Sequence, residues 1–161
     1  MNNKPTTAEI TLMAAGGVAL LGSFLDWYSV DTAFGSGSAN PWSEEGGFPT
    51  FAWVGIFGGA IAVLIALELF ANVKLPTKVL NFTWPQIHFI LADFAALLCI
   101  SYLIAGSDQA IGFFLSLLAS AGLVAGAIML DKERPSGVRA APAASPGAPP
   151  PMAPPPPPPP A

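Results

Sequence analysis

Three ionisable side chains lie within, or at the edge of, long apolar stretches of this chain. They are Glu68, His88 and Asp93. A carboxyl group or an imidazole ring inside the hydrocarbon of a bilayer can relay protons or pair with another polar group, so such residues are functional candidates. These are the side chains with which the sequence could do chemistry.

Asp93 lies deepest of the three. Helical rise puts it ~10 Å inside its apolar stretch, with Phe89, Leu97 and Ile100 on the same face. No cation lies at its depth. Because a charged carboxylate there is costly, we expect Asp93 to turn inward, to hydrogen-bond or to hold a proton. Ser120, in the last apolar stretch, lies at comparable depth and is a candidate partner.

Glu68 and His88 have simpler explanations. Glu68 lies ~6 Å from the end of its apolar stretch, so its carboxylate can reach the headgroup level. His88 is at headgroup depth, and one titratable ring defines no site by itself. His88 and Asp93 lie about 140° apart around a helix, which is poor geometry for binding one ion. We therefore predict no metal site and no cofactor.

Motifs typical of enzymes are absent from the sequence. It contains no GxSxG, HExxH, P-loop or GxGxxG pattern. The acids Asp26, Asp31, Glu44 and Glu45 lack the spacing of a calcium loop. Six scattered Lys and Arg residues do not form the dense basic surface that nucleic acids require. The sequence therefore predicts a protein that is neither an enzyme nor a nucleic-acid binder.

Four apolar stretches position these candidates, at about 10–28, 51–71, 86–104 and 110–130. Each approaches the ~20 residues that a helix needs to cross a bilayer. The chain is 53% hydrophobic and 10% charged, whereas soluble proteins carry about 25% charged residues. The prediction is an all-α membrane protein, with a four-transmembrane-helix bundle over 1–134 and a tail over 135–161.

The basic residues indicate the orientation of this bundle. They are Lys4 before the first stretch, Lys74 and Lys78 between the second and third, and Lys132, Arg134 and Arg139 after the fourth. With four passes, all of these segments lie on one side of the membrane. The positive-inside rule assigns that side to the cytoplasm. We expect a multi-pass protein of the cell inner (plasma) membrane with both termini cytoplasmic.

Small residues predict where the helices pack closely. Gly55 and Gly59 lie four residues apart in the second stretch, and Gly122 and Gly126 repeat this spacing in the fourth. Such pairs let two helix backbones approach, either within one chain or between two copies. The short connection 105–109 makes the last two helices antiparallel neighbours. The loop 29–50 is rich in Gly, Ser and Pro without alternation, so irregular structure is expected there.

Residues 24–29 read Phe-Leu-Asp-Trp-Tyr-Ser at the end of the first stretch. This segment resembles the helix ending of many small actinobacterial four-helix membrane proteins with a Pro-rich tail. The layout of the chain is similar to that of the mycobacterial 34 kDa antigen family. The resemblance implies a bacterial inner-membrane protein and carries over no catalytic residue.

The tail 135–161 is dominated by Ala and Pro and includes seven consecutive prolines. This composition predicts a disordered cytoplasmic chain with polyproline II character, which aromatic grooves recognise. We expect a non-catalytic scaffold or accessory subunit that presents this tail to a cytoplasmic partner. Its membrane partner would be another protein or a second copy. The alternative is a small transport or proton-coupled protein that uses Asp93.

Deleting the residues after Arg139 separates these two functions. The deletion should release a cytoplasmic partner of the tail, because the proline-rich ligand is gone. In a transport protein it should leave flux intact, whereas Asp93→Asn should abolish flux. Affinity purification in mild detergent followed by mass spectrometry measures the first effect. A full set of co-purifying proteins after deletion would contradict the scaffold prediction.

Overall fold

A computed structural model describes residues 4–43, 50–71, 73, 75–76, 78–105 and 108–133. In chain order the elements are α1 Thr7–Gly22, β1 Tyr28–Thr32, β2 Gly35–Ala39, α2 Ala52–Phe70, α3 Trp84–Ala105 and α4 Ile111–Glu133. The predicted tail 135–161 lies outside the described residues, as do Glu44, Glu45, Lys74, Arg134 and Arg139.

Three of the four helices are long and apolar enough to cross a membrane. Helices α2, α3 and α4 have 19, 22 and 23 residues, and each has a segment of mean hydropathy above 2. This length and composition indicate a membrane protein. Helix α1 is shorter, with 16 residues, or about 24 Å of helical rise. It ends at Gly22, well before the end of the predicted stretch 10–28.

Local hydrogen bonds explain both ends of α1. At its start, the Thr6 amide donates to Glu9 Oε2 at 2.8 Å, and the Glu9 amide donates to Thr6 Oγ1 at 3.3 Å. This reciprocal pair is a capping box, and it explains why the Glu9 carboxylate is buried. At its end, the indole N–H of Trp27 donates to the Gly22 carbonyl at 3.1 Å. A side chain beyond the helix thus satisfies a carbonyl of the last turn.

The four helices run up and down around a common core. Helix α1 packs against α2 and α4, and α3 packs against α4 and α2. Gly16 of α1 lies against Gly58 of α2, and Ser23 lies against Gly55. Because the partner number falls as the α1 number rises, α1 and α2 are antiparallel. The bundle therefore has α1 and α3 at opposite corners.

The four glycines predicted to mediate packing all face other helices of the same chain. A Cβ atom added at Gly59 would lie 3.3 Å from a Leu20 methyl carbon, and one added at Gly55 would meet Ser23. On α4, a Cβ at Gly122 would lie 3.1 Å from Ala15, and one at Gly126 would lie 2.9 Å from Leu12. Every one of these neighbours belongs to α1 or to the residue that ends it. Helix α1 is therefore the element to which the small residues of α2 and α4 are fitted.

The prediction of an irregular loop over 29–50 is wrong for the first part of that range. Residues 28–39 form a β-hairpin. Strands β1 and β2 pair antiparallel, from Tyr28 opposite Ala39 to Thr32 opposite Gly35. The turn ends at Gly35, whose φ of 138° is a conformation that glycine adopts readily. Strand β2 reads Gly-Ser-Gly-Ser-Ala, so it lacks the alternation that signals a strand. Backbone hydrogen bonds also join the hairpin to the rest of the chain. In one of them, the Ser29 amide donates to the Asp108 carbonyl at 3.0 Å.

Adjacent glycines of α1 offer a matched test of this packing. A Cβ at Gly16 would press on the Gly58 carbonyl and lie 3.0 Å from Ala62 Cβ, whereas one at Gly17 would meet nothing within 4 Å. Gly16→Ala should destabilise the protein by about 1–3 kcal/mol through overpacking. Gly17→Ala should be neutral or stabilising by up to about 1 kcal/mol through helix propensity. Thermal unfolding in detergent micelles measures both, and equal stability of the two variants would contradict the close α1–α2 contact.

Candidate functional site

The indole ring of Trp27 fills one end of the bundle and is fully buried. Its centroid lies 5.6 Å from the ring of Tyr102 at the end of α3 and 5.6 Å from Phe113 at the start of α4. It lies 6.1 Å from Phe51, which precedes α2. These four side chains, called the Trp27 cluster below, come from the connection between α1 and α2 and from the adjoining ends of α3 and α4. The ring contacts are edge-on or tilted, as aromatic pairs prefer.

The backbone around Trp27 joins the same elements. The Trp27 amide donates to the Ala39 carbonyl at 2.9 Å, and the Trp27 carbonyl accepts from the Ala110 amide at 2.8 Å. The Asp26 carbonyl accepts from the Gly112 amide at 3.0 Å. A Cβ at Gly112 would come within 2.7 Å of that carbonyl oxygen, so the close approach requires glycine. The segment 24–29, singled out by its resemblance, is thus the junction between α1, the hairpin and α4.

The chemistry of the Trp27 cluster fits a structural role. Beside it, the Trp42 indole donates to Ser23 Oγ at 3.1 Å and stacks on Phe24 with the ring centroids 5.2 Å apart. Aromatic rings and hydroxyl groups in these contacts supply no nucleophile with a neighbouring base. The cluster stabilises the packing of the helix ends and leaves the functional chemistry to other residues.

Asp93 lies on the outward face of α3. The buried stripe of this helix is His88, Ala92, Ala95 and Cys99. Asp93 is about 140° around the helix from His88 and is exposed. Of the three alternatives expected for Asp93, an inward side chain is therefore not the one that the structure has. The small side chains of Ala92 and Ala95 fit the interface with the neighbouring helices. Asp93 follows Ala92 in sequence, so its side chain points away from that interface.

The surroundings of Asp93 on this face are apolar. Phe89, Leu97 and Ile100 are 42%, 53% and 45% exposed. Within the described ranges, no residue hydrogen-bonds or ion-pairs with the Asp93 carboxylate. Ser120 is not its partner, because Ser120 is buried and donates to the Ser116 carbonyl at 2.8 Å. A carboxyl group thus lies on an otherwise apolar outer surface.

The other two candidates lie elsewhere. Glu68 is half-buried near the end of α2. His88 is 3% exposed at the start of α3, and its ring centroid lies 6.1 Å from that of Trp84. His88 faces the interior and Asp93 faces outward, so the structure does not bring them together. Across the part of the chain that the structure describes, no three His, Cys, Asp or Glu residues are grouped to hold a metal ion.

Two features were missed by reasoning from the sequence. The first is the buried Glu9, whose signal was the Thr6-x-x-Glu9 spacing of a capping box. The second is a groove of about 420 Å³ between the start of α3 and the end of α4. It is lined by Phe82, Pro85, Gln86, Phe89, Ile90, Ile128, Asp131 and Lys132. Its two sides are about forty residues apart in sequence, so only the packing of the helices reveals it.

Comparison with protein-family models, with curated proteins and with solved structures finds no match for this chain. The resemblance of residues 24–29 and of the helix layout therefore stays an expectation. The functional evidence comes from the chain itself, in the outward Asp93 and the groove between α3 and α4.

Removing the central indole tests the structural role of the Trp27 cluster. Trp27→Ala should destabilise the protein by about 3–5 kcal/mol, because it leaves a cavity and removes one of the two hydrogen bonds that the Gly22 carbonyl accepts. Trp53→Ala is the matched control, since Trp53 is 45% exposed on α2. It should cost about 0.5–1.5 kcal/mol, because the ring it removes stacks on Phe57. Thermal unfolding in detergent provides the comparison, and similar losses for the two variants would refute a central role for Trp27.

Proposed function

We propose that the chain is a non-catalytic, multi-pass protein of the cell inner membrane that acts as an accessory subunit or scaffold. In this proposal all four helices cross the bilayer and both termini are cytoplasmic. The basic residues on one side of the apolar stretches support this orientation. Helix α1 is the shortest of the four proposed crossings, and the turn after Gly22 completes its length. Its small residues suit a helix enclosed by neighbours.

The outward Asp93 is the observation that carries the proposal. A charged carboxylate at the centre of a lipid-facing helix costs ~2.5–3.5 kcal/mol on insertion scales. Asp93 has no described partner and lies among exposed apolar side chains. A second transmembrane helix packed on this face would remove the carboxyl group from lipid and supply a partner to it. The outer face of α3, defined by Phe89, Asp93, Leu97 and Ile100, is therefore the proposed interface.

Charge complementarity favours a partner protein over a second copy of this chain. A copy related by a two-fold axis would place Asp93 opposite Asp93, and two carboxylates repel unless they share a proton. None of the four apolar stretches contains a Lys or Arg residue at comparable depth. A partner helix with a Lys, Arg or amide side chain at that depth would pair with the carboxylate directly. The proposed partner is a membrane protein with such a helix.

The placement of Asp93 gives weaker support to a transport function. Intramembrane acids in transporters face a bundle interior or a water-filled cavity. In α3 the interior stripe contains Ala92, Ala95 and Cys99, while Asp93 lies on the other side. A proton path through the bundle would have to bypass its deepest acid. The proline-rich tail adds a cytoplasmic contact to the proposed function, on the grounds of its composition.

A photo-cross-linking residue at Leu97 tests the interface in native membranes. Leu97 shares the outward face with Asp93, and its adduct should be a single discrete band. Leu118, which is 71% exposed on α4, is the matched position on a different helix and should give lipid adducts alone. Asp93→Leu should reduce the Leu97 adduct about tenfold or more, because a buried charged hydrogen bond is lost. Asp93→Asn should retain part of it.

Asp31→Asn is the control for removing an acid, since Asp31 is exposed in β1. It should leave the Leu97 adduct unchanged. An adduct of twice the chain mass would show self-association and contradict the partner-protein proposal. Equal lipid labelling at both positions would contradict an interface on α3. Loss of ion or proton flux in Asp93→Asn, with no protein adduct, would support the transport function instead.

A further inference from the structure

A tight turn just before α3 has a strained backbone. The Val79 amide donates to the Phe82 carbonyl at 3.0 Å, and the Phe82 amide donates to the Val79 carbonyl at 2.9 Å. The two residues between them, Leu80 and Asn81, have φ angles of 49° and 71°. Asparagine adopts such angles readily, whereas a leucine side chain crowds its own backbone there. The strain of this turn therefore falls on Leu80.

Burial inside the protein does not offset this strain, because the Leu80 side chain is 87% exposed. The turn is nevertheless held firmly in place. Thr83 alone separates it from α3, and the Trp84 indole donates to the Pro76 carbonyl at 2.7 Å. Strained backbone and an exposed apolar side chain are both typical of contact sites. Together they indicate that Leu80 contacts something outside the chain.

Phe82 shows where this turn lies relative to the bundle. It is 48% exposed and lines the groove between α3 and α4, together with Ile90 and Ile128. These two isoleucines are 38% and 42% exposed, on helices that are long and apolar enough to cross a membrane. The turn therefore lies at the perimeter of the bundle, beside the ends of these helices. In a bilayer this is the level of the lipid headgroups.

The charge of the connection between α2 and α3 indicates which lipid surface the turn would contact. Residues 71–83 include Lys74 and Lys78 and no acid. Lys78 is exposed two residues before Leu80. Lysines at the headgroup level are attracted by anionic phospholipids. An apolar tip beside a cationic residue is thus complementary to an anionic bilayer surface.

We propose that the turn 79–82 inserts Leu80 between the headgroups of the membrane that α2 and α3 cross, with Lys78 against anionic phosphates. Insertion removes the Leu80 side chain from water, and this offsets the strain of its φ angle. Because Thr83 alone joins the turn to α3, the contact also fixes the depth of the start of α3. The inference rests on the proposed crossings of α2 and α3. It uses neither Asp93 nor a protein partner.

A spin label on the turn measures its depth in vesicles that contain the full chain and equal amounts of phosphatidylglycerol and phosphatidylcholine. The label is attached at Asn81→Cys in a Cys99→Ala background, which keeps Leu80. Collisions with oxygen report lipid, and collisions with a water-soluble nickel chelate report water. Oxygen should dominate at this position. Leu80→Asn suits the same φ angle but is polar, so it should move the label into water.

Lys78→Gln tests the contribution of charge. It should raise the nickel collision rate at position 81 about fivefold in the mixed vesicles, the effect of one lysine at an anionic surface. In vesicles of phosphatidylcholine alone it should change nothing. Phe34→Cys is the matched control on the tip of the β-hairpin, where the side chain is also fully exposed. Nickel should dominate there, because β1 contains Asp31 and no lysine.

Leu97→Cys separates this proposal from the crossing of α3, since its label should be shielded from nickel. Nickel access at position 81 equal to that at position 34, with position 97 shielded, would overturn the insertion of the turn alone. Nickel access at position 97 would overturn the crossing as well. Shielding of position 81 from both reagents would also overturn the proposal, because the turn would then pack against protein. If Asn81→Cys does not fold, Leu80→Cys carries the label on the same turn, with the same expected result.

The effect of Lys78→Gln decides the kind of lipid. An equal effect in both kinds of vesicle, or none in either, would overturn the selection of an anionic surface. Thermal unfolding of each variant before reconstitution shows that a change in collision rate does not come from loss of the fold.

Discussion

The close approach of α1 to α2 and α4 is possible because the residues at these contacts are small, and the positions of the other elements follow from it. Inside a bilayer the lipid chains are as apolar as the side chains, so helices associate through tight packing and hydrogen bonds. Gly16 against Gly58 and Gly126 against Leu12 supply such packing. With α1 enclosed on these sides, α3 occupies the opposite corner and has a broad outer face. The outward position of Asp93 is a consequence of that arrangement.

The Trp27 cluster closes the end of the bundle at which α1 is too short. Helix α1 stops at Gly22, and the indole of Trp27 takes the space that further helix would have filled. Its N–H satisfies the Gly22 carbonyl, and its backbone pairs with the hairpin and with Ala110. In an apolar surrounding each unpaired backbone group is costly, so these bonds make an early helix end tolerable. The buried Trp27 thus compensates for the short length of α1.

Chain composition and hydropathy predicted the long helices well, because a span of about 20 apolar residues is a physical requirement of the bilayer. The ends of α2 at Ala52 and Phe70 lie within a residue or so of the predicted stretch 51–71. The same signal overran the end of α1, since Trp27 and Tyr28 are apolar whether they continue a helix or fold back on it. The hairpin was missed because β2 lacks the alternation of a strand, and because the backbone bond from Ser29 to Asp108 joins residues that are distant in sequence. The sequence left the direction of Asp93 open, as one of three alternatives, for a related reason. Periodicity defines which residues share a face, but the neighbouring helices determine which face is inside.

The contact between α1 and α4 also sets the order in which the protein can be completed. Helix α1 leaves the ribosome first and α4 last, yet Leu12 packs on Gly126 and Ala15 lies beside Gly122. The ring of Trp27 is likewise enclosed only after Phe113 has been synthesised. During synthesis the packing surface of α1 therefore has only α2 as a partner until α4 has been made. Contacts between the two ends of a chain are slow to form and leave intermediates exposed. Assembly of this small bundle is consequently a closure step, in which α4, the last of the four helices to be synthesised, completes the enclosure of α1.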